Sequence, residues 1–292
     1  MEAALSGQKS LRLPYVDILL PNDRYERDRL NLHHEIIKQA FGRILFPPIR
    51  LGGNDRVLDC GTGSGAWVTN VANNVPPTVH LYGIDIDPFS FPERHPPNAH
   101  FLVQSTLDMP AEWSNTFTLA NQRMLVSAFS QKDWHRSAQE TFRVLKPGGY
   151  VQLLELDARL HQVLALGPRS RRLEEVANAI WHERGMLTDP ASVLPDVLTE
   201  CGFENVVIET RDVPVNRRSG AMGALHLYNI SQAYREMGEA IVRAGGYGIV
   251  SSLREFTDLV VAAREEWAEN EAAVATFVMV YGRKPLLTLE SG

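Results

Sequence analysis

Cysteine is nearly missing from this 292-residue chain: Cys60 and Cys201 are the only two. So few thiols build neither a disulfide framework nor a cysteine-based metal site, and the compartment expected is a reducing one, the cytoplasm. Positive charge is also short. Lys and Arg number 29 against 35 Asp and Glu, for a formal charge of −6. That balance argues against a nucleic-acid partner, because phosphate binding calls for a basic surface. No apolar run approaches the roughly 20 residues that cross a bilayer, and residues 1–14 contain no apolar signal core, so no membrane association is expected. No G-x-S-x-G elbow is present, which disfavours a hydrolase of that type. His33, His34 and His226 do not share a metal-ligand spacing, and no metal is expected. Internal repeats and low-complexity tracts are absent too.

What is present is an ordinary globular composition, 44% hydrophobic and 22% charged, in a chain long enough to bury a substantial core. Its most informative stretch is Arg56-Val57-Leu58-Asp59-Cys60-Gly61-Thr62-Gly63-Ser64-Gly65-Ala66-Trp67. A short apolar strand ends in an acid, and glycines then alternate with small residues before a helix. Glycine at such a turn takes positive φ and lets a ligand press on the main chain. Free N–H groups at the start of the following helix can face a polar or anionic ligand. The next apolar run, Val79 to Ile84, ends in Asp85, where an α/β nucleotide site places a carboxylate for the ribose hydroxyls. The spacing is G-x-G-x-G rather than the G-x-G-x-x-G of dinucleotide sites.

Strand-like runs fall at 56–59, 79–85, 99–103, 116–121, 149–156, 205–210 and 274–281. Helical stretches at 64–74, 132–145 and 170–186 separate several of them, a β/α alternation that predicts a mostly parallel sheet covered on both faces. Residues 25–46 carry Leu30, Ile37, Phe41, Ile44 and Leu45 at helical spacing, with Asn22 or Asp23 as N-cap. Pro88, Pro92, Pro96 and Pro97 predict a loop between the second and third strands. Lys146-Pro147-Gly148-Gly149 predicts a helix stop before the fifth strand. Residues 213–270 read as a helical insertion with the stripe Leu227, Ile230, Tyr234, Met237, Ile241 and a capping box at Ser252-x-x-Glu255. The expected organisation is one domain: an arm and helix (1–50), a Rossmann-like core (51–212), a helical lid (213–270), and a final strand with tail (271–292).

Taken together, the acid-first glycine turn, the K-P-G-G block, Glu155 and Trp134 after Asp133 resemble the class I S-adenosylmethionine-dependent methyltransferases. The likeness extends to their fungal LaeA-like, or UMTA-like, group. Leu20-Pro21-Asn22-Asp23 followed by Arg29-Leu30-Asn31-Leu32-His33-His34 resembles that group's N-terminal signature, and Tyr281-Gly282-Arg283-Lys284-Pro285 its ending. The resemblance covers about residues 17–285. It implies a seven-stranded, mostly parallel sheet with an antiparallel last strand, S-adenosylmethionine as methyl donor and S-adenosylhomocysteine as product. Two departures stand out: Gln104-Ser105-Thr106 where an acid often follows strand three, and Thr118 where strand four often has one.

On this reading Gly61, Thr62, Gly63 and Gly65 shape the cofactor turn and Asp59 orients it or the cofactor's amino group. Asp85 takes the ribose, with Asp87 as rival. Ile86 lies on the adenine face, Ser105 near its edge, and Arg29 pairs with the methionine carboxylate or is a solvated helix charge. Candidate bases are His34, Glu155 and His226. Tyr25, Arg123 and Tyr228 are candidate acceptor contacts. Holding nucleophile and methyl in line can supply about 7–11 kcal/mol by itself, and a base adds about 10²–10⁴-fold. The function expected is methyl transfer to oxygen or nitrogen of a small, partly apolar molecule, a fungal secondary metabolite by resemblance. Two alternatives stay open: a LaeA-like regulator acting through protein partners, in the nucleus, and a cyclase on the same fold.

Overall fold

The computed structural model describes residues 24–157 and 167–286. The proposed N-cap at Asn22 or Asp23 and the motif Leu20–Asp23 lie outside them. The first element, α1 (Arg24–Phe41), buries Glu26, Arg29, His33, Ile36, Ile37 and Phe41, a stripe of helical period. It stops five residues short of the expected end because Gly42 takes φ +67°.

Seven strands follow: β1 (Arg56–Cys60), β2 (His80–Asp85), β3 (Ala99–Val103), β4 (Phe117–Arg123), β5 (Leu145–Leu156), β6 (Glu204–Pro214) and β7 (Val274–Arg283). They form one sheet in the order β3-β2-β1-β4-β5-β7-β6. β1 to β5 pair in parallel, and β7 runs antiparallel to both β5 and β6. Chain order reverses beside β1, where β4 returns on its other side. Loops leaving β1 and β4 therefore part, and a crevice opens over the carboxyl ends of the strands.

Successive residues of β1 point to opposite faces. Val57 packs with Trp67 and Val68 of α2 (Ala66–Ala72), while Leu58 joins the larger cluster on the other side. That second cluster takes in α3 (Gln131–Val144), α4 (Pro168–Glu183) and α5 (Pro190–Glu200). Between β6 and β7 come α6 (Gly220–Glu236), α7 (Gly238–Arg243) and α8 (Leu253–Ala268). The stripe Leu227, Ile230, Tyr234, Met237 and Ile241 is buried there as its period predicts.

Three local differences have physical causes. The K-P-G-G block is not a gap between elements: α3 ends at Val144 and β5 starts at Leu145, with an irregular register opposite Phe117–Leu119. Gly149 is required there because a Cβ would sit 2.9 Å from the Lys146 carbonyl oxygen and 3.1 Å from that of Thr118. The segment between β2 and β3 has no α-helix, only a short 3-10 turn at Pro88–Ser90 capped by the Asp87 side chain. Finally, α5 is a helix the sequence analysis does not include: Pro195 lies inside it, and Pro190 at its first turn and the Asp189 cap (3.1 Å to Ser192 N) mark its start.

Candidate active site

The glycine turn stands on a buried polar ladder across three strands. In the sheet register Asp59 faces Asn121, and Asn121 faces Gln152. Gln152 Nε2 donates to Asn121 Oδ1 (2.7 Å), and Asn121 Nδ2 donates to Asp59 Oδ1 (2.6 Å). The other carboxylate oxygen accepts from Thr62 Oγ1 (2.7 Å). Burial pushes the Asp59 carboxyl above its ordinary value, against the pull of Arg123 and the two donors. Asp59 and Thr62 therefore hold the turn from behind rather than lining the space above it. Gly65 is also behind: it is the left-handed N-cap of α2 (φ 70°), and a Cβ there would strike the Phe101 ring at 2.5 Å.

Above the turn is a cavity of about 480 Å³. Gly61 and Gly63 form part of its floor. Asp85, Ile86, Ser105 and Leu107 form one end. Asp85 Oδ2 accepts from Gly63 N (2.9 Å) and Oδ1 from Asp87 N (3.2 Å), so the carboxylate locks turn to strand while still facing the cavity. Burial raises its carboxyl above the ordinary value, and the backbone donors of Gly63, Asp87 and Ile86 oppose that. Asp87 lines the cavity too, but its Oδ1 is used by Phe89 N (2.9 Å). The Ser105 hydroxyl accepts from Leu107 N (3.1 Å).

α1 supplies one wall. Arg29 is buried and paired in two places with Glu26, at 2.6 and 2.7 Å. Asn229 of α6 ties both elements together, donating to the Arg29 carbonyl (2.8 Å) and accepting from its guanidinium (3.4 Å). Arg123, at the end of β4, also enters the cavity and donates to His34 Nδ1 (3.1 Å). His34 itself does not line the space. Burial, then Arg123 and Lys38, lower its pKa to about 3, so it is a neutral acceptor that orients Arg123.

Glu155 is wholly buried and outside the lining. Its two oxygens accept from Leu125 N (3.1 Å) and Val126 N (2.9 Å), and burial pushes its pKa up to about 8. It fastens the turn Leu125–Ser127, which walls the cavity after Met124 takes the left-handed φ of 59°. His226, on α6, is sealed against β6 and β7: Nδ1 meets the Pro214 carbonyl oxygen (3.0 Å), the ring stacks on Phe277 (5.7 Å), and burial lowers its pKa to about 4. Tyr25 is 81% exposed and Tyr228 48%, and neither lines the cavity. Thus Arg29, Gly61, Gly63, Asp85, Ile86, Ser105 and Arg123 come together, while the three candidate bases stand one layer back.

The far end of the cavity is apolar, made by Phe129, Leu156, Trp181, Ile230, Tyr234, Met237 and Phe277. The sequence reading missed His33, Glu26 and Asn229. For α6 a signal existed: Tyr228 lies two residues from His226, about 200° around a helix, whereas Asn229 and Ile230 follow the buried stripe. Among the described residues no group of His, Cys, Asp and Glu could hold a metal.

Main chain bare of side chains at Gly61 and Gly63, a carboxylate at the cavity wall, the apolar Ile86 and Leu107 beside it, and two guanidinium groups fit an adenosine bearing an amino-acid tail. Comparisons with known proteins agree. A family model described as a methyltransferase domain matches residues 57–149. The chain is 30% identical to the N-methyltransferase tcpN of Claviceps purpurea (strain 20.1), over 89% of this chain and 94% of that one. It is 29% identical to the N-methyltransferase sirN of Leptosphaeria maculans, covering 94% and 97%. The phosphoethanolamine N-methyltransferase 2 of Haemonchus contortus, solved with S-adenosylhomocysteine, shares the fold: TM-score 0.51, 16% identity, 87% of this chain and 52% of that one. The chain belongs to the class I S-adenosylmethionine-dependent methyltransferases. Within them it is similar along almost its whole length to fungal N-methyltransferases.

Proposed function

We propose that the protein methylates a nitrogen of a small, partly apolar secondary metabolite. The observation that carries this is the two-ended cavity: a polar end at Gly63 and Asp85, and an aromatic end at Trp181, Tyr234 and Phe277. A volume of about 480 Å³ suits a compact acceptor beside the donor rather than a polymer. Similarity to tcpN and sirN, both N-methyltransferases, supports nitrogen over oxygen.

S-adenosylmethionine, when bound, supplies an electrophilic methyl on a good leaving group. The chain's part is to hold and orient. Asp85 would take the ribose hydroxyls, Ile86 and Leu107 the adenine faces, and Ser105 its edge. Gly61 and Gly63 would admit the tail, with Arg29 for its carboxylate. Arg123, held by His34, would meet a carbonyl or anionic group of the acceptor, and α6 would close over both. No helix among the described residues is long and apolar enough to cross a membrane. Two unpaired cysteines, Cys60 and Cys201, fit a cytoplasmic location.

The test is incubation of the purified protein with trideuteromethyl-labelled donor and a panel of small amides, aromatic amines and phenols. Product carrying the label on nitrogen supports the proposal. Label on oxygen alone overturns the nitrogen assignment. Conversion without any mass gain would indicate a cyclase, and donor binding without product from pathway extracts a regulator.

A further inference from the structure

Three buried histidines surround the junction of the two cavity ends, and they differ in one respect. His34 and His226 each leave Nε2 sealed in protein with no partner. His33 is the one that lines the cavity, and its ring makes no hydrogen bond to protein among the described residues.

The position of His33 along the cavity matters more than its burial. One helical turn before it on α1 is Leu30, whose Cδ1 lies 3.1 Å from where a Cβ of Gly63 would be. On its other side the His33 ring packs against Phe277, centroids 5.7 Å apart, at the aromatic end. The side chain therefore stands over the seam between the glycine turn and the apolar chamber. In-line transfer requires the sulfonium methyl and the acceptor atom to meet at such a seam.

We propose that His33 is the general base, its free ring nitrogen facing the transferred methyl and the acceptor atom. This rests on the methyl-transfer reading above. The acceptor lone pair forms the bond to the methyl carbon, and the carbon–sulfur pair leaves with sulfur as S-adenosylhomocysteine. The acceptor's N–H proton goes to the imidazole lone pair, giving a neutral methylated amine and an imidazolium that later releases its proton to water. Arg29, Arg123, His34 and His226 face His33 from α1, β4 and α6, with the Glu26 carboxylate on α1 paired to Arg29, and no carboxylate among the described residues forms an ion pair with His33. Burial first, then the Arg29 guanidinium, hold its pKa well below the ordinary value, so the imidazole is unprotonated and its lone pair is free.

The test needs no knowledge of the acceptor. Sinefungin carries an amine where the sulfonium carries its methyl, and S-adenosylhomocysteine has nothing there. An imidazole facing that point accepts a charge-assisted hydrogen bond from the amine, so wild type should bind sinefungin about tenfold more tightly than S-adenosylhomocysteine by calorimetry. In His33→Phe the preference should fall to near unity, with S-adenosylhomocysteine affinity kept within about threefold. His33→Gln, which retains an acceptor, should keep part of the preference. A merely structural histidine would lower both affinities together. An unchanged ratio in His33→Phe, or no preference in wild type, overturns the proposal. Should His33→Phe fail to fold, His33→Met gives the same comparison. Failure of wild type to bind either ligand would instead strike the methyl-transfer reading, so the two failures are told apart.

Discussion

Replacing Asp85 by alanine removes the carboxylate on which the nucleoside end of the cavity is built. Two effects add. The ribose loses its charged acceptor, and hydrogen bonds to a charged group contribute about 1.5–3 kcal/mol each. The N–H groups of Gly63 (2.9 Å) and Asp87 (3.2 Å) also lose their partner, so the turn that floors the cavity loosens. Water recovers part of this because the site is open to solvent in the free protein. A net loss of about 2–4 kcal/mol follows, or roughly 30- to 1000-fold in affinity for the donor. Asp85→Asn keeps one acceptor oxygen and should fall midway. Asp87→Ala should cost less than about tenfold, because its carboxylate already serves Phe89 N. Titration calorimetry with S-adenosylhomocysteine reads all three variants directly. If Asp85→Ala binds within about threefold of wild type while Asp87→Ala does not, the ribose carboxylate is Asp87 and the reasoning fails.

Two further predictions concern groups that never touch the cavity. Gly65→Ala should lower both stability and donor affinity: alanine is strained at φ 70°, and its Cβ would meet Phe101 at 2.5 Å. The strain and overpacking amount to about 2–4 kcal/mol of unfolding free energy. His226 gives a pH signature. Its folded pKa of about 4 lies below the ordinary 6.5. The unfolded chain therefore takes up the proton first on acidification. The stability contribution of neutral His226 is complete above pH 6.5 and drains away as pH falls through about 4. His226→Phe should flatten the fall in unfolding free energy between pH 7 and 4 by roughly 3 kcal/mol relative to wild type, read from urea melts. A parallel pair of curves would refute the burial argument.

Much of the fold was legible because alternating apolar runs specify strands and Gly61, Gly63 and Gly65 specify the turn. Asp85 could be found by position alone, since a strand end after the glycine turn has few neighbours. The base was harder. His34, one of three candidate bases, faces inward, yet inward on α1 means toward Arg123, while the adjacent His33 reaches the cavity. A rotation of about 100° per residue separates the two, and the packing of α1 against α6, fixed by Arg29 and Asn229, decides which one opens to ligand. Glu155 illustrates the opposite limit. A carboxylate at the end of β5 looks chemical in sequence, but the backbone N–H groups of Leu125 and Val126, which occupy it, leave no mark there. Asn229 went unseen for the same reason: its partners lie on Arg29, 200 residues away.

A crystal structure with S-adenosylhomocysteine bound bears most directly on the whole reading. The adenosine should lie along Ile86 and Ser105 with its ribose on Asp85, its sulfur beside His33, and the space between Trp181, Tyr234 and Phe277 left for the acceptor. A nucleoside seated instead among those three aromatic rings would reverse the two ends of the cavity and contradict the assignment of donor and acceptor.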